Sequence, residues 1–249
     1  MKIKDIINFL NHLYPLERQE DWDHSGLQIG NINDELKGVM VCLNADEDTI
    51  SQAINQGCNL LISHHPFLFH SLQSVDYDTV KGRLICQCIH HHLTVYSMHT
   101  NYDCIRMNEH LLEILGCQHI HCFEDSGICR AGYLENVMDL NDFIYHVKKQ
   151  FNLNIVRLSG FKQDRVYSVA ICGGSGASFF NQATNLYDIY ITGDFNYNHA
   201  TELLCLNKGL VLGVSHFIER VFKQQIILNL KDVNIFALEA IEQDYFTYY

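Results

Sequence analysis

The chain has 249 residues and a formal net charge of −12, from 17 Lys and Arg against 29 Asp and Glu. With 47% hydrophobic and 18% charged residues it reads as a globular, soluble chain of one large or two ordinary domains, not as a disordered one. The acidic balance excludes a general electrostatic grip on nucleic acid, although a bound metal or a local cation can still hold a small anion.

The N-terminus, MKIKDIINFLNHLYPLERQE, places Ile3, Ile6, Ile7, Leu10 and Leu13 at helical spacing with polar residues between them. That is an amphipathic helix and not a signal peptide. No apolar stretch reaches the ~20 residues that cross a bilayer. Residues 38–44 (GVMVCLN) read as a strand, 46–56 as a helix stopped by Gly57, and 59–63 as a strand. A helix over 79–90, a strand over 93–98 and a helix over 108–115 closed by Gly116 follow. This βαβαβ rhythm predicts a parallel sheet covered on both faces.

Residues 117–165 read as a join with an amphipathic helix near 140–151. A strand over 166–172, the turn CGGSGAS, a helix over 180–185, a strand over 188–192, a helix over 199–207, a strand over 209–214 and a helix from SHFIER onward complete the pattern. The expectation is an α/β chain of two similar lobes with mixed or mostly parallel sheets. The first spans 1–125, with the C-terminal segment free to return to it, and the second 126–249. Ten cysteines without CxxC spacing, the nearest pair being Cys86 and Cys88, predict free thiols and a cytoplasmic location.

Unusual polar residues gather just past predicted strands. His64 and His65 follow NLLIS, His99 and Asp103 follow LTVYSM, Gly173 to Ser175 follow VYSVAIC, Asp194 follows DIYIT, and His216 and Glu219 follow GLVLGV. Ligands of open α/β sheets bind outside the carboxyl ends of strands. Two neighbouring imidazoles past a strand end can address one site, as two ligands of one metal or one ligand each of two. His216 and Glu219, three apart, share a helix face. A mixed histidine and carboxylate set suits Zn, Mn, Fe or Co.

Each cluster also has a plainer reading. Pro66 makes His64 and His65 a rigid turn, Asp103 a helix cap, and Glu219 a first-turn acid favoured by the helix dipole. The coincidence of three clusters at three strand ends favours metal. His90 to His92 sit at a helix C-terminus, and His119 and His121 read as surface residues. CGGSGAS matches neither the P-loop nor the dinucleotide fingerprint, and Ser175 lacks the frame of a nucleophile elbow.

WDHSGLQIG (22–30), ISHHPFLF (62–69), HTNYD (99–103), CGGSGAS (172–178), TGDFNYNHA (192–200) and VSHFIER (214–220) together resemble the successive signatures of the Nif-three-like family, also labelled GTP cyclohydrolase I type 2 homologues or dinuclear metal centre hexameric proteins. The resemblance covers nearly the whole chain. It implies two facing α/β lobes with a two-metal site between them, in a homohexameric ring. It implies His64, His65, Asp103, His216 and Glu219 as ligands of two divalent ions per chain, with His99 as a further ligand or a catalytic proton-transfer group. The expected activity is hydrolysis of a nucleotide or related phosphorylated small molecule, by ring opening or at a phosphoester. The alternative is a non-catalytic metal-binding ring that acts as a scaffold for regulatory proteins. Three motifs depart from the family pattern: His24 replaces an Asn, Asn198-His199 replaces a His-Asp pair, and Ser215 stands where Gly often precedes the ligand histidine. The aromatic end DYFTYY is either a contact with a neighbouring copy or a short ordered tail.

Overall fold

The structure is a computed structural model, and it describes residues 1–161, 163–206 and 209–247. Among these the strands are β1 (Gly26–Ile29), β2 (Val39–Cys42), β3 (Leu60–Ser63), β4 (Thr94–Ser97), β5 (Gln118–Cys122), β6 (Arg130–Asp139), β7 (Arg157–Gly160), β8 (Arg165–Cys172), β9 (Ile189–Thr192), β10 (Leu210–Gly213) and β11 (Ala237–Glu239). The helices are α1 (Ile3–Leu13), α2 (Glu47–Asn55), α3 (Val80–His90), α4 (Thr100–Tyr102), α5 (Asn108–Ile114), α6 (Leu140–Gln150), α7 (Phe180–Leu186), α8 (Tyr197–Leu206) and α9 (Val221–Asp232). The chain forms two compact units: Met1–Tyr102 with Phe222–Glu242, and Asp103–Val221 with the segment from Gln243. Residues 103–125, grouped with the first lobe on sequence, thus belong to the second unit, and Phe222–Glu242 returns to the first.

The first unit holds a five-stranded sheet in the order β1-β4-β3-β2-β11. β4, β3, β2 and β11 run parallel and β1 is antiparallel at the edge. VMVC, LLIS and TVYS are buried at every residue, as parallel strands covered on both faces require. Cys42 pairs with Ser63, and Ser63 with Ser97, so the three strands end level. Met40, Cys42, Leu61 and Val95 pack with Ile50 and Ala53 of α2 and Leu84, Ile85 and Cys88 of α3. Asp46 caps α2 by accepting Thr49 N at 2.9 Å while Thr49 Oγ1 accepts Asp46 N at 2.9 Å.

The second unit holds a six-stranded sheet in the order β5-β6-β8-β9-β10-β7. Its centre, β8-β9-β10, is parallel, with Cys172, Thr192 and Gly213 level; β5, β6 and β7 pair antiparallel outside it. Both sheets are therefore mixed, within the α/β class expected. The helix expected from His216 onward instead opens as a tight 3₁₀ turn, His216–Arg220, before α9. The helix expected over 199–207 begins earlier, at Tyr197, and Asn207 lies outside the described residues. Among the described residues no cysteine forms a disulfide, and seven of the ten are buried. No helix among the described residues is long and apolar enough to cross a membrane.

A buried cation fastens the returning segment of the first unit. Lys223 on α9 donates to Ala240 O at 2.9 Å and pairs with Glu242 at 3.2 Å, both side chains almost fully buried. Glu242 in turn accepts Leu43 N at 2.8 Å and Asn44 N at 3.0 Å, just past β2. Removing one partner of a buried pair strands the other charge and costs about 3–5 kcal/mol. Glu242→Ala is expected to lower the unfolding free energy by that amount in denaturant titration; a loss below ~1 kcal/mol would mean the pair is not load-carrying.

Candidate metal centre

In the first unit, the level ends of β2, β3 and β4 present a ring of polar groups. Ser63 Oγ donates to the His65 carbonyl at 2.9 Å, and Ser97 Oγ lies 2.7 Å from Ser63 Oγ. The backbone after β3 is thereby fixed, with His64 fully buried and His65 half-buried. His64 Nδ1 lies 2.8 Å from Met98 O, just past β4. His65 Nδ1 lies 2.7 Å from Asn44 Oδ1, just past β2. His99 Nδ1 lies 2.8 Å from Asp23 Oδ1. Carbonyl and carboxylate oxygens only accept, so each neutral ring carries its proton on Nδ1 and its lone pair on Nε2. The three rings have centroids 4.9–5.5 Å apart, and each offers a ligand atom within 4.8 Å of the others.

Asp23 is the anchor of His99. Its carboxylate also accepts Thr100 N at 3.1 Å, Thr100 Oγ1 at 2.6 Å and Ser25 Oγ at 2.8 Å. Burial pushes the Asp23 carboxyl up, but the hydrogen bond and charge of His99, with the Thr100 and Ser25 hydroxyls, outweigh it and hold it well below the usual carboxylate range. Trp22 stands edge-on to His99 with centroids 6.0 Å apart, and His24 stands edge-on to Phe69 at 6.2 Å.

In the second unit, three turns past β8, β9 and β10 converge. His216 Nε2 meets Glu219 Oε2 at 3.0 Å, and His216 Nδ1 meets Asp194 Oδ2 at 3.0 Å. Asp194 Oδ2 also accepts Ser175 Oγ at 2.7 Å. A Cβ at Gly174 would lie 2.6 Å from Glu219 Oε1 and 3.2 Å from His216 Nε2, and the backbone there has φ +56°, so only glycine lets the carboxylate approach. Gly193 and Asp194 both donate backbone N–H to Gly174 O at 3.0 Å, joining the two turns. Asp103 begins a wide π-helical turn, Asp103–Met107, a feature common at functional sites. Arg130 Nη2 donates to Cys104 O within that turn. Asn108 Oδ1 accepts Gly173 N at 2.7 Å, tying α5 to the glycine turn. Asp103 and Glu219 offer carboxylate oxygens within 4.8 Å of each other, both nearly buried.

A model of the family described as Duf34/NIF3 (NGG1p interacting factor 3) matches residues 1–244. The chain belongs to that family. Among curated relatives of this NIF3 chain, a protein of Campylobacter jejuni named GTP cyclohydrolase 1 type 2 homolog is 33% identical over 251 residues, covering 100% of both chains. A Helicobacter pylori protein named GTP cyclohydrolase 1 type 2 is 32% identical over 224 residues, covering 88% of each. Among solved structures, a hypothetical protein of Staphylococcus aureus superposes with a TM-score of 0.91 at 26% identity, covering 100% of this chain and 99% of that one.

The six residues singled out on sequence thus fall into two sets in this NIF3 chain, His64, His65 and His99 in one unit and Asp103, His216 and Glu219 in the other. His90, His91, His92, His119 and His121 are exposed and belong to neither set. Sequence reasoning gave no role to Asp23 and Asn44, which fix the His99 and His65 tautomers. It flagged Asp194 without a partner. Asn44 and Asp194 stand just past β2 and β9, so the strand-end rule that found the histidines also reaches them. At the Asn198-His199 departure, His199 N donates to Asn196 Oδ1 at 3.1 Å and serves as helix capping.

Burial would lower the pKa of His216, but the Glu219 charge and hydrogen bonds to Asp194 and Glu219 outweigh it and raise it from 6.5 to about 11. Ligation at Nε2 requires loss of that proton. In metal-free protein the resulting stabilisation is fully present below pH ~6.5 and is lost as pH rises toward about 11. The stability difference between metal-free wild type and His216→Ala is therefore expected to be largest at pH 5–6.5 and to shrink with rising pH. A difference that grows with pH, read by chemical denaturation, would contradict the ion triad.

Proposed function

We propose that this chain is a metal-dependent hydrolase that holds two divalent ions, Zn, Mn, Fe or Co, and acts on a nucleotide or related phosphorylated small molecule. The carrying observation is the common orientation of His64, His65 and His99, each with Nδ1 held by an oxygen acceptor, which in the neutral ring puts the lone pair on Nε2. Metal-ligating histidines almost always donate their other ring N–H to a carbonyl or carboxylate in this way. The donor set fits the ions named, because imidazole with carboxylate suits borderline first-row metals rather than Ca or Mg alone. His64, His65, Asp103, His216 and Glu219 are the proposed ligands. Such ions, when bound, supply Lewis-acid polarisation of the scissile group and acidify water.

The chain's own residues do the rest. Two ligand carboxylates against two divalent ions leave a net charge of about +2, which draws an anionic substrate despite the acidic surface. His99 takes up or delivers a proton at Nε2 while Asp23 holds Nδ1–H and stabilises the charged ring, which makes His99 the proposed general acid or base. Asp194 orients His216, and Ser175 orients Asp194, so Ser175 is a support and no nucleophile. The names of the Campylobacter and Helicobacter relatives favour a nucleotide, and ring opening or phosphoester hydrolysis are both within this chemistry.

Metal content by mass spectrometry of untagged protein tests the centre. About two equivalents per chain are expected in wild type, falling sharply in Asp103→Ala. Less than about half an equivalent in both, after reconstitution with Zn, Mn and Fe, would mean the histidines are structural. Hydrolysis across a panel of nucleotides is expected in wild type and lost in His64→Ala; metal retained with no turnover of any would instead favour the scaffold reading.

A further inference from the structure

Ser215 and the aromatic C-terminal segment take no part in metal ligation. They meet each other in the second unit. Ser215 Oγ donates to Asp244 Oδ2, and Asp244 Oδ1 accepts Phe246 N at 3.0 Å. The segment is thereby turned back onto its own unit; its last residues, Tyr248 and Tyr249, lie outside the described residues. Phe246 becomes one wall of a cavity of about 450 Å³, within the range of small-molecule sites. The residue is 71% exposed, so the wall it makes is accessible from solvent. Ile155, Val156 and Phe195 supply further apolar wall, with Arg157 and Asn196 as polar groups. Asp194, which holds His216, lines the same cavity.

Arg157 is the decisive residue. It pairs across the sheet with Gly213, and its guanidinium lies against that glycine, Nε and Nη2 being 3.5 and 3.6 Å from where a Cβ at Gly213 would stand. Its Nη2 reaches Gly193 O at a weak 3.4 Å. Among the described residues no carboxylate lies within ion-pair distance of it. The acids nearby are engaged: Asp194 with His216 and Ser175, Asp244 with Ser215 and Phe246 N. A guanidinium with unused N–H groups is the side chain best matched to a phosphate, which it grips bidentately.

We propose that this cavity is the substrate-recognition subsite for a phosphorylated molecule bearing a flat ring, with Arg157 taking the phosphate and Phe246 facing the ring. Ser215 is the positioning residue that docks the Phe246 wall through Asp244. The proposal deepens the hydrolase reading and rests on it for the reaction, but not for the binding.

The test is calorimetric titration of full-length protein with phenyl phosphate and with inorganic phosphate. Metal is first removed by chelation, so that the anion cannot report on a metal, and each variant is checked by circular dichroism. Saturable binding of phenyl phosphate is expected in wild type. Arg157→Ala should weaken both probes about 10- to 100-fold, the range of a lost charge-assisted contact. Phe246→Ala and Ser215→Gly should weaken phenyl phosphate and leave inorganic phosphate within about twofold. No saturable binding in wild type, or Arg157→Ala binding both probes as wild type does, overturns the subsite. Arg157-dependent binding by a chain that never takes up metal would leave the subsite standing and remove the hydrolase. Two metals with Arg157-independent binding would do the reverse.

Discussion

The level termination of parallel strands is the constraint on which the candidate site depends. Parallel register brings Cys42, Ser63 and Ser97 to one line, and Cys172, Thr192 and Gly213 to another. Once strands stop together, the first residues beyond them share a rim, and backbone carbonyls that would have continued the ladder become available as acceptors. Met98 O is such a group, and it orients His64. Orientation of an imidazole by the main chain is stiffer than by a side chain, because no rotamer has to be fixed.

The two units set their candidate metal ligands in opposite electrostatic surroundings. In the first, imidazoles are oriented by acceptors and one buried carboxylate, Asp23. In the second, an imidazolium sits between two acids and the glycine turn lets Glu219 come close.

Much of this was legible in the sequence where burial is two-sided. VMVC, LLIS, TVYS, IYIT and LVLG are buried at every residue and largely apolar, because parallel strands hide both faces. β6, RAGYLENVMD, gives no buried-strand signal, because its second half is largely exposed and carries Glu135 and Asp139. β1 hides in a motif punctuated by Gly26 and Gly30. The metal-ligand candidates followed from the strand-end rule, whereas Asp23 acts on His99 across 76 positions and leaves no local signal. The His216 and Glu219 spacing was read as one face of an α-helix. The chain instead makes a 3₁₀ turn, whose three residues per turn align i with i+3 and bring the two side chains to 3.0 Å.

The course of the chain has a consequence for how it is made. β11 lies beside β2 with Ala237 opposite Val39, so the first unit encloses in sequence nearly all of the second. A ribosome releases β2, β3 and β4 long before the strand that covers their edge. Until Ala237–Glu239 emerges, β2 offers unpaired N–H and C=O groups, and Asn229 of α9 is not yet there to hold Tyr14. The second unit's stretch 103–221 is complete earlier. Until β11 emerges the N-terminal sheet carries an open edge of the kind that invites pairing with other chains.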